Sequence, residues 1–432
     1  MATNETLLVG QTLAFVRHPR AHDPGSNSQH ESHGGVLIRD GLIVQIGKAT
    51  EMRRWHPDVD VIDHGDALIM AGFVDCHAHY PQTAIIASWG KRLIDWLNTY
   101  TFPQEILFAN PAYARVIADR YFDLNLANGI TTASVYCTTH PASVDAFFEA
   151  ALLRNLRMAA GKVMMDRNAP DTLLDTAQSG YDDSKILIDR WHGRGRLTYS
   201  ITPRFALTSS SEQLRAAGNL WAEHPTCLMQ THLSEQREEI AWVGELFPET
   251  RDYLDVYQQF GLVGPGAIMG HAIHLSEREW AEIAQTGTAI AHCPTSNTFI
   301  GSGLFDMARA LNSHIPVGLA TDVGGGSSFS MLRTMAAAYE IAQLRGNALH
   351  PETLLWLATQ GPARVLQMSD KIGNLAPGYE GDLVVLDLSS TPVIAQRVAQ
   401  AGDFWQSVFP TIMLGDDRAI AQVYVAGVGV KG

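Results

Sequence analysis

The sequence predicts a (β/α)8 TIM-type barrel with a small β-sandwich domain formed by the N- and C-terminal segments. Between residues 70 and 370, apolar runs of strand length alternate with longer helical patterns, which is typical of parallel α/β architecture. Both ends of the chain instead hold only short apolar runs separated by glycine-containing turns. We therefore expect a barrel over residues 71–371 and a small β domain assembled from residues 1–70 and 372–432.

The short apolar runs of the terminal segments predict the strands of the small domain. They lie at residues 7–9, 13–16, 36–38, 43–46, 383–387 and 421–427. A turn at Arg39-Asp40-Gly41 separates two of them. The polar stretch 20–35, rich in glycine, serine and histidine, predicts a loop.

Eight apolar runs in the middle of the chain predict the barrel strands. They lie at residues 69–79, 131–137, 158–164, 197–205, 226–232, 267–271, 288–293 and 316–322. Helical patterns between them include 112–126, 144–154, 236–246 and 277–285. Eight βα units over about 250–300 residues match the size of such a barrel. Because barrel chemistry sits at the C-terminal ends of the strands, polar residues there are the candidates for function.

Composition argues against several partners and locations. The 432 residues include 31 basic and 45 acidic ones, and the formal net charge of −14 argues against nucleic acid or an anionic membrane as a partner. No apolar run approaches the ~18 residues of a membrane span, and residues 1–10 lack the basic segment of a signal peptide. The four cysteines form no CxxC pair, so we expect neither a zinc knuckle nor disulfides, and we expect a cytoplasmic protein.

His77-Ala78-His79 ends the first predicted barrel strand. Positions i and i+2 of a strand point to the same side, so both imidazoles project into the barrel mouth. Two imidazoles on one face form half of a site for a first-row metal. Alone, such a pair is more often structural or coincidental than metal-binding.

Three further predicted strands end in candidate metal ligands or acid–base groups. His232 ends the fifth strand, with Glu235 three residues beyond it, and Asp322 ends the eighth. Both His271 and His274 lie at the end of the sixth, and the sequence does not decide which of them faces the mouth. Simpler interpretations exist for each, such as a glutamate that complements the dipole at a helix start.

Taken together, the strand-end residues indicate an open catalytic metal site. A coincidence of five such residues at one face is far less probable than any one of them. The five are His77, His79, His232, His271 and Asp322.

Three other features resemble functional motifs but have simpler structural interpretations. His292-Cys293-Pro294 lacks the HxE and PCxxC elements of zinc cytidine deaminases and is interpreted as a strand end with a turn. Lys162 would bridge two metals if carbamylated, but it ends the third predicted strand and the fourth carries Arg204, so one metal is favoured. The glycines at 324–326 lack P-loop spacing and predict a turn that permits close backbone approach. The roles of Lys162, His274 and His292 stay open.

Several motifs together resemble the amidohydrolase superfamily and, within it, the guanine deaminase family. The HxH pair and the Thr321-Asp322 pair are shared across the superfamily. The more specific elements are HYPQ, LNTYTFP, DRNAP and PRF. The matching segments are residues 77–82, 95–103, 166–170, 202–205, 230–235, 292–297 and 320–324.

The resemblance implies a mononuclear site and a purine pocket. One Zn²⁺ per subunit, with iron as the alternative metal, would be bound by His77, His79, His232 and Asp322. Gln82, Arg204 and Phe205 would hold guanine, with Phe205 stacking on the ring and Arg204 donating to the carbonyl oxygen. The ligands His79, His232 and Asp322, together with Glu235, would also contact the substrate.

The resemblance also implies a reaction in purine catabolism, the hydrolysis of guanine to xanthine and ammonia. Glu235 would donate a proton to ring nitrogen N3, Asp322 would accept the proton of the attacking water, and His271 would orient that water. A homodimer is implied by the resemblance alone. The alternatives are an enzyme that deaminates a related ring, such as 8-oxoguanine, a triazine or a pterin, and a non-enzymatic barrel scaffold.

Overall fold

A computed structural model describes residues 5–19, 24–90 and 92–430 of the chain. The strands are β1 (Glu5–Phe15), β2 (Ser28–Arg39), β3 (Leu42–Lys48), β4 (Asp60–Ala71), β5 (Phe73–His79), β6 (Ile130–Tyr136), β7 (Arg157–Gly161), β8 (Val163–Met164), β9 (Thr198–Pro203), β10 (Leu228–Leu233), β11 (Ala267–His271), β12 (Ala289–His292), β13 (Val317–Leu319), β14 (Leu383–Leu386), β15 (Ile420–Val425) and β16 (Val428–Gly429).

The helices lie mainly between the barrel strands. They are α1 (Ala49–Trp55), α2 (Leu93–Trp96), α3 (Phe102–Ile106), α4 (Pro111–Ala127), α5 (Pro141–Leu153), α6 (Ala177–Trp191), α7 (Ser211–Glu223), α8 (Arg237–Leu246), α9 (Tyr253–Gln259), α10 (Glu277–Thr286), α11 (Pro294–Phe299), α12 (Met307–Asn312), α13 (Met331–Leu344), α14 (Pro351–Leu357), α15 (Gln360–Val365), α16 (Pro392–Val398) and α17 (Phe404–Leu414). A π-helical turn, Leu97–Thr101, joins α2 to α3. Among the helices described, none is long and apolar enough to cross a bilayer.

The predicted barrel is confirmed. Its parallel strands follow the order β5-β6-β7-β9-β10-β11-β12-β13, with the short β8 also pairing with β9. Backbone hydrogen bonds join its first and last strands at the mouth, since Asp322 N donates to His77 O at 2.9 Å and His79 N to Val323 O at 2.6 Å. Every residue of β5, β6 and β7 is buried, as expected for strands covered on both faces.

The terminal segments form one seven-stranded sheet, in the order β16-β15-β14-β4-β1-β2-β3, which confirms a small β domain built from both ends of the chain. The predicted loop at 20–35 is wrong for residues 28–35, which belong to β2, while residues 20–23 lie outside the described part. These polar residues are strand because they pair with β1, from Phe15 opposite Ser28 to Val9 opposite Gly35. The domain boundaries at 70/71 and 371/372 stay a prediction.

The four predicted helices correspond to α4, α5, α8 and α10, each within three residues at either end. The helices α16 and α17 lie between two strands of the terminal sheet, where the sequence pattern suggested only β structure. Helix α17 packs on α13 of the barrel, with the Phe409 and Tyr339 rings 5.0 Å apart. The C-terminal segment is therefore attached to the barrel by helices as well as by its sheet.

Buried and half-buried charged residues also join the two parts of the molecule. Arg196 Nη1 donates to Glu380 and to Asp382, both at 2.7 Å, and Arg157 Nε donates to Glu380 at 2.7 Å. Arg157 begins β7 and Arg196 precedes β9, whereas Glu380 and Asp382 precede β14. The network fixes the terminal sheet to one end of the barrel.

Replacement of Glu352 by Gln is expected to lower the free energy of unfolding by about 2–3 kcal/mol, measured by chemical denaturation. The buried Glu352 carboxylate accepts hydrogen bonds from Gly25 N, Asn27 N, Asn27 Nδ2 and Ser28 Oγ at 2.7–2.9 Å. The glutamine side chain has an NH₂ group in place of one carboxylate oxygen. Because this group donates, it cannot accept the hydrogen bonds that the lost oxygen accepted. The exposed Glu340→Gln is the control, and equal stability of the two variants would contradict the expectation.

Candidate metal and substrate site

Four predicted ligands meet at the mouth of the barrel. His77 and His79 project from β5, His232 from β10, and Asp322 follows β13. Asp322 Oδ1 lies 3.3 Å from His77 Nε2 and 3.5 Å from His79 Nε2, and the Nε2 atoms of His79 and His232 are 3.3 Å apart. Ligand atoms of the three histidines lie within 4.8 Å of one another, close enough to share one metal ion.

Second partners orient two of the site histidines. His232 Nδ1 lies 2.7 Å from the Arg204 carbonyl oxygen, to which it must donate, so its Nε2 carries a free lone pair. His271 Nδ1 lies 2.8 Å from Asn297 Oδ1, and its Nε2 faces Asp322 Oδ2 at 3.7 Å. His271 is therefore the histidine of the sixth strand that faces the mouth, whereas His274 Nε2 is 2.8 Å from the Ser302 carbonyl oxygen.

The protonation states of these side chains are the ones that metal ligands need, neutral imidazoles and an ionised carboxylate. Burial holds the pKa values of His79 and His232 well below the usual range, so both imidazoles are neutral and can ligate. Burial alone would raise the pKa of Asp322, but the neighbouring His77 and His271 lower it to about 2. His77 Nδ1 and His79 Nδ1 are buried with no hydrogen-bond partner among the described residues. The donor set and its unpartnered nitrogens fit one divalent metal.

Cys293 borders the site, which the sequence interpretation missed. Its sulfur lies in a second group with ligand atoms of His77, His271 and Asp322, all within 4.8 Å. Burial raises the pKa of the Cys293 thiol well above its usual range, so the sulfur is protonated. The adjacent His292 instead stacks on Phe305, with ring centroids 4.6 Å apart, and has a packing role.

Lys162 belongs to neither group of candidate ligands. It is fully buried, and its ammonium lies 2.5 Å from Asp175 Oδ2. An ion-paired lysine is not available as a carbamate bridge, which agrees with the prediction of one metal.

A small cavity adjoins the candidate metal ligands. It is lined by all the predicted substrate-binding residues, and its apolar wall comes from the segment around α2 and from Ile300, just after α11. The lining residues are His79, Gln82, Leu93, Trp96, Leu97, Arg204, Phe205, His232, Glu235, His271, Ile300, Asp322 and Gly325.

Glu105, which the sequence interpretation did not single out, connects two of the predicted substrate-binding residues. Its fully buried carboxylate accepts from Arg204 Nη1 at 2.9 and 2.8 Å and from Gln82 Nε2 at 3.2 Å. Gln82 Oε1 in turn accepts from Gly324 N at 3.3 Å. The only feature of the sequence that pointed to Glu105 was its place in the chain, two residues beyond the LNTYTFP element.

Glu235 lines the same cavity and lies beside His271. Ser302 Oγ donates to Glu235 Oε1 at 2.8 Å, and Glu235 Oε2 is 3.6 Å from His271 Nε2. Burial raises the pKa of Glu235, so this carboxyl holds a proton more readily than an exposed one. It has the environment of a general acid.

Glycines permit the close backbone approach predicted after the eighth strand. A Cβ on Gly326 would lie 1.9 Å from the Thr321 carbonyl oxygen. A Cβ on Gly270, before His271, would lie 2.7 Å from His77 Cε1. Larger residues at either position would displace the ligand-bearing backbone or the His77 ring.

The barrel, the terminal sheet and the histidine–aspartate cluster, which is a candidate metal site, together indicate a hydrolase. Residues 68–430 match the amidohydrolase family, and the chain belongs to it.

Its relatives within that family include guanine deaminases. The Escherichia coli (strain K12) guanine deaminase is 46% identical over 91% of this chain and 90% of that protein. The solved structure of E. coli guanine deaminase has a TM-score of 0.96 and 44% identity, covering 99% of both chains. That of the C. acetobutylicum guanine deaminase, with bound guanine in the active site, has a TM-score of 0.89 and 28% identity, covering 99% of this chain and 100% of that one. The resemblance seen in the motifs is confirmed.

Proposed function

We propose that this enzyme hydrolyses guanine to xanthine and ammonia. The observation that carries the proposal is one cavity in which hydrogen-bond donors of Gln82 and Arg204 and the Phe205 ring lie beside the ligand cluster. The relatives named as guanine deaminases, one of them with guanine bound, agree with it.

His77, His79, His232 and Asp322 would hold one divalent metal, and three imidazoles with one carboxylate suit Zn²⁺, with iron as the alternative. When bound, such a metal lowers the pKa of a coordinated water to about 7 and so supplies a nucleophile at neutral pH. Asp322, ionised beside the site, accepts a proton from the attacking water. His271 orients this water through its Nε2, which faces Asp322.

The water oxygen bonds to C2 of guanine. The exocyclic amino group then takes the proton held by Asp322, the C2–N bond breaks to release ammonia, and the remaining hydroxyl proton passes to Glu235 as the C2 carbonyl forms. Attack at C2 disrupts the aromatic ring, so N3 must gain a proton as the bond forms. Glu235 supplies this proton from its buried carboxyl. Phe205 stacks on the ring, while Arg204 and Gln82 bind the edge that carries the carbonyl oxygen.

We also propose a cytoplasmic homodimer that acts in purine catabolism. The absence of disulfides among the four buried cysteines agrees with a reducing compartment. The dimer rests on resemblance to the family.

Among guanine, 8-oxoguanine, adenine, cytosine and a triazine, we expect guanine to give the highest kcat/KM for ammonia release. The physical reason is that donors from Arg204 and Gln82 match the two acceptors of guanine, O6 and N7. Continuous measurement of ammonia with metal-loaded protein checks this. Guanine ranking below another ring would remove the proposed substrate but leave the hydrolase class intact.

A further inference from the structure

We propose that Glu105 is a positioning residue that sets the specificity for a 6-oxo purine, by holding Gln82 and Arg204 as a pair of hydrogen-bond donors towards the substrate. The inference rests on the proposed function. It concerns how the enzyme distinguishes a carbonyl from an amino group at C6.

The Glu105 carboxylate determines the orientation of the Gln82 amide. A carboxylate paired with arginine only accepts hydrogen bonds, so the amide must turn its NH₂ group to Glu105. The backbone N–H of Gly324 only donates, and it meets Gln82 Oε1. Both neighbours therefore impose the same orientation, and one N–H of Gln82 is left to face a ligand in the cavity.

Glu105 also fixes the guanidinium of Arg204. Both of its oxygens accept from Nη1, and no other described residue accepts a hydrogen bond from this guanidinium. Arg204 is 3% exposed, so without Glu105 a buried cation would lack its counter-ion. The remaining N–H groups of Arg204, which lines the cavity, are left for substrate.

Gln82 and Arg204 together form an edge of the pocket that offers the substrate only hydrogen-bond donors. The N7 and O6 atoms of guanine are both acceptors and match it, whereas a 6-amino group would place a donor against donors. Specificity of this kind arises because the wrong substrate leaves buried polar groups unpaired. If Glu105 is lost, only the Gly324 N–H still favours this orientation, so the Gln82 amide can rotate more readily and present its oxygen to a 6-amino group.

The test compares guanine with 2,6-diaminopurine, which keeps the reacting 2-amino group and replaces the 6-oxo group. For metal-loaded Glu105→Gln, kcat/KM for guanine is expected to fall at least about tenfold, mostly through KM, as for a lost hydrogen bond to a charged group. The ratio of kcat/KM for guanine to that for 2,6-diaminopurine is expected to fall at least about tenfold as well.

Two comparisons separate positioning from general damage. Glu352→Gln removes another fully buried carboxylate, and its ratio should equal that of the wild type when measured below its melting temperature. In a Gln82→Leu background, Glu105→Gln should change the ratio less than it does in the wild type, because only Arg204 remains of the two residues through which Glu105 acts.

A folded, metal-loaded Glu105→Gln with the wild-type ratio would overturn the inference. If that variant does not fold, Glu105→Asp replaces it: the charge is kept and the reach shortened, so an intermediate ratio is expected and a wild-type ratio overturns the inference. A wild-type enzyme without activity on guanine would overturn the proposed function itself, which is a distinct result.

Discussion

Glu235→Gln is expected to lower kcat and kcat/KM for guanine by about 10²–10⁴-fold, the usual contribution of a general acid. The amide is the same size as the carboxyl and can still accept from Ser302 Oγ, but it cannot release a proton to N3. The interaction lost is made in the transition state, so KM should change little. Steady-state kinetics with quantified metal content measure the effect.

The matched control is Glu279→Gln, which changes a buried glutamate that does not line the cavity. Glu279 accepts from Leu254 N at 3.1 Å and Ser276 N at 2.7 Å, so its replacement should lower the melting temperature and leave kcat within about threefold of wild type. Wild-type turnover in metal-loaded Glu235→Gln would exclude Glu235 as the proton donor. Loss of the metal from that variant would indicate instead that the carboxyl supports the ligand cluster.

The barrel could be predicted because its strands carry their signal locally. Residues 73–79 are buried without exception and end in the histidine pair, so both strand and site are visible in one segment. Residues 28–35 gave the wrong prediction because their composition is polar. Their strand conformation comes from pairing with β1, a long-range interaction that overrides local preference.

The candidate site was predictable where strand geometry alone places a side chain. Alternation along β5 sufficed for His77 and His79. The choice between His271 and His274 depended instead on a turn in which His271 and Ala272 adopt positive φ of 65° and 49°, which no periodicity reveals. Glu105 was missed because it lies on helix α3 and reaches Arg204 across 99 positions of sequence.

His77→Asn is expected to abolish stoichiometric metal binding and lower kcat/KM by more than about 10³-fold, since a catalytic metal supplies several kcal/mol of transition-state stabilisation. The His77 ring lies between Asp322, 3.3 Å from Nε2, and Tyr136, with ring centroids 4.8 Å apart. A shorter amide on β5 cannot place a nitrogen where Nε2 lies. Elemental analysis measures the loss of metal, and the rate of ammonia release measures the loss of activity.

The matched control is His292→Asn, because His292 is equally buried, 1% exposed, and ends another barrel strand without joining a ligand group. It should lose stability through its contact with Phe305 but retain one metal per chain. Added Zn²⁺ should raise the melting temperature of chelator-treated wild type and of His292→Asn, and not that of His77→Asn, because only a folded site gains binding free energy. Full turnover by metal-free wild-type protein would contradict the metal-dependent mechanism, whereas stoichiometric metal in His77→Asn would remove His77 from the ligand set.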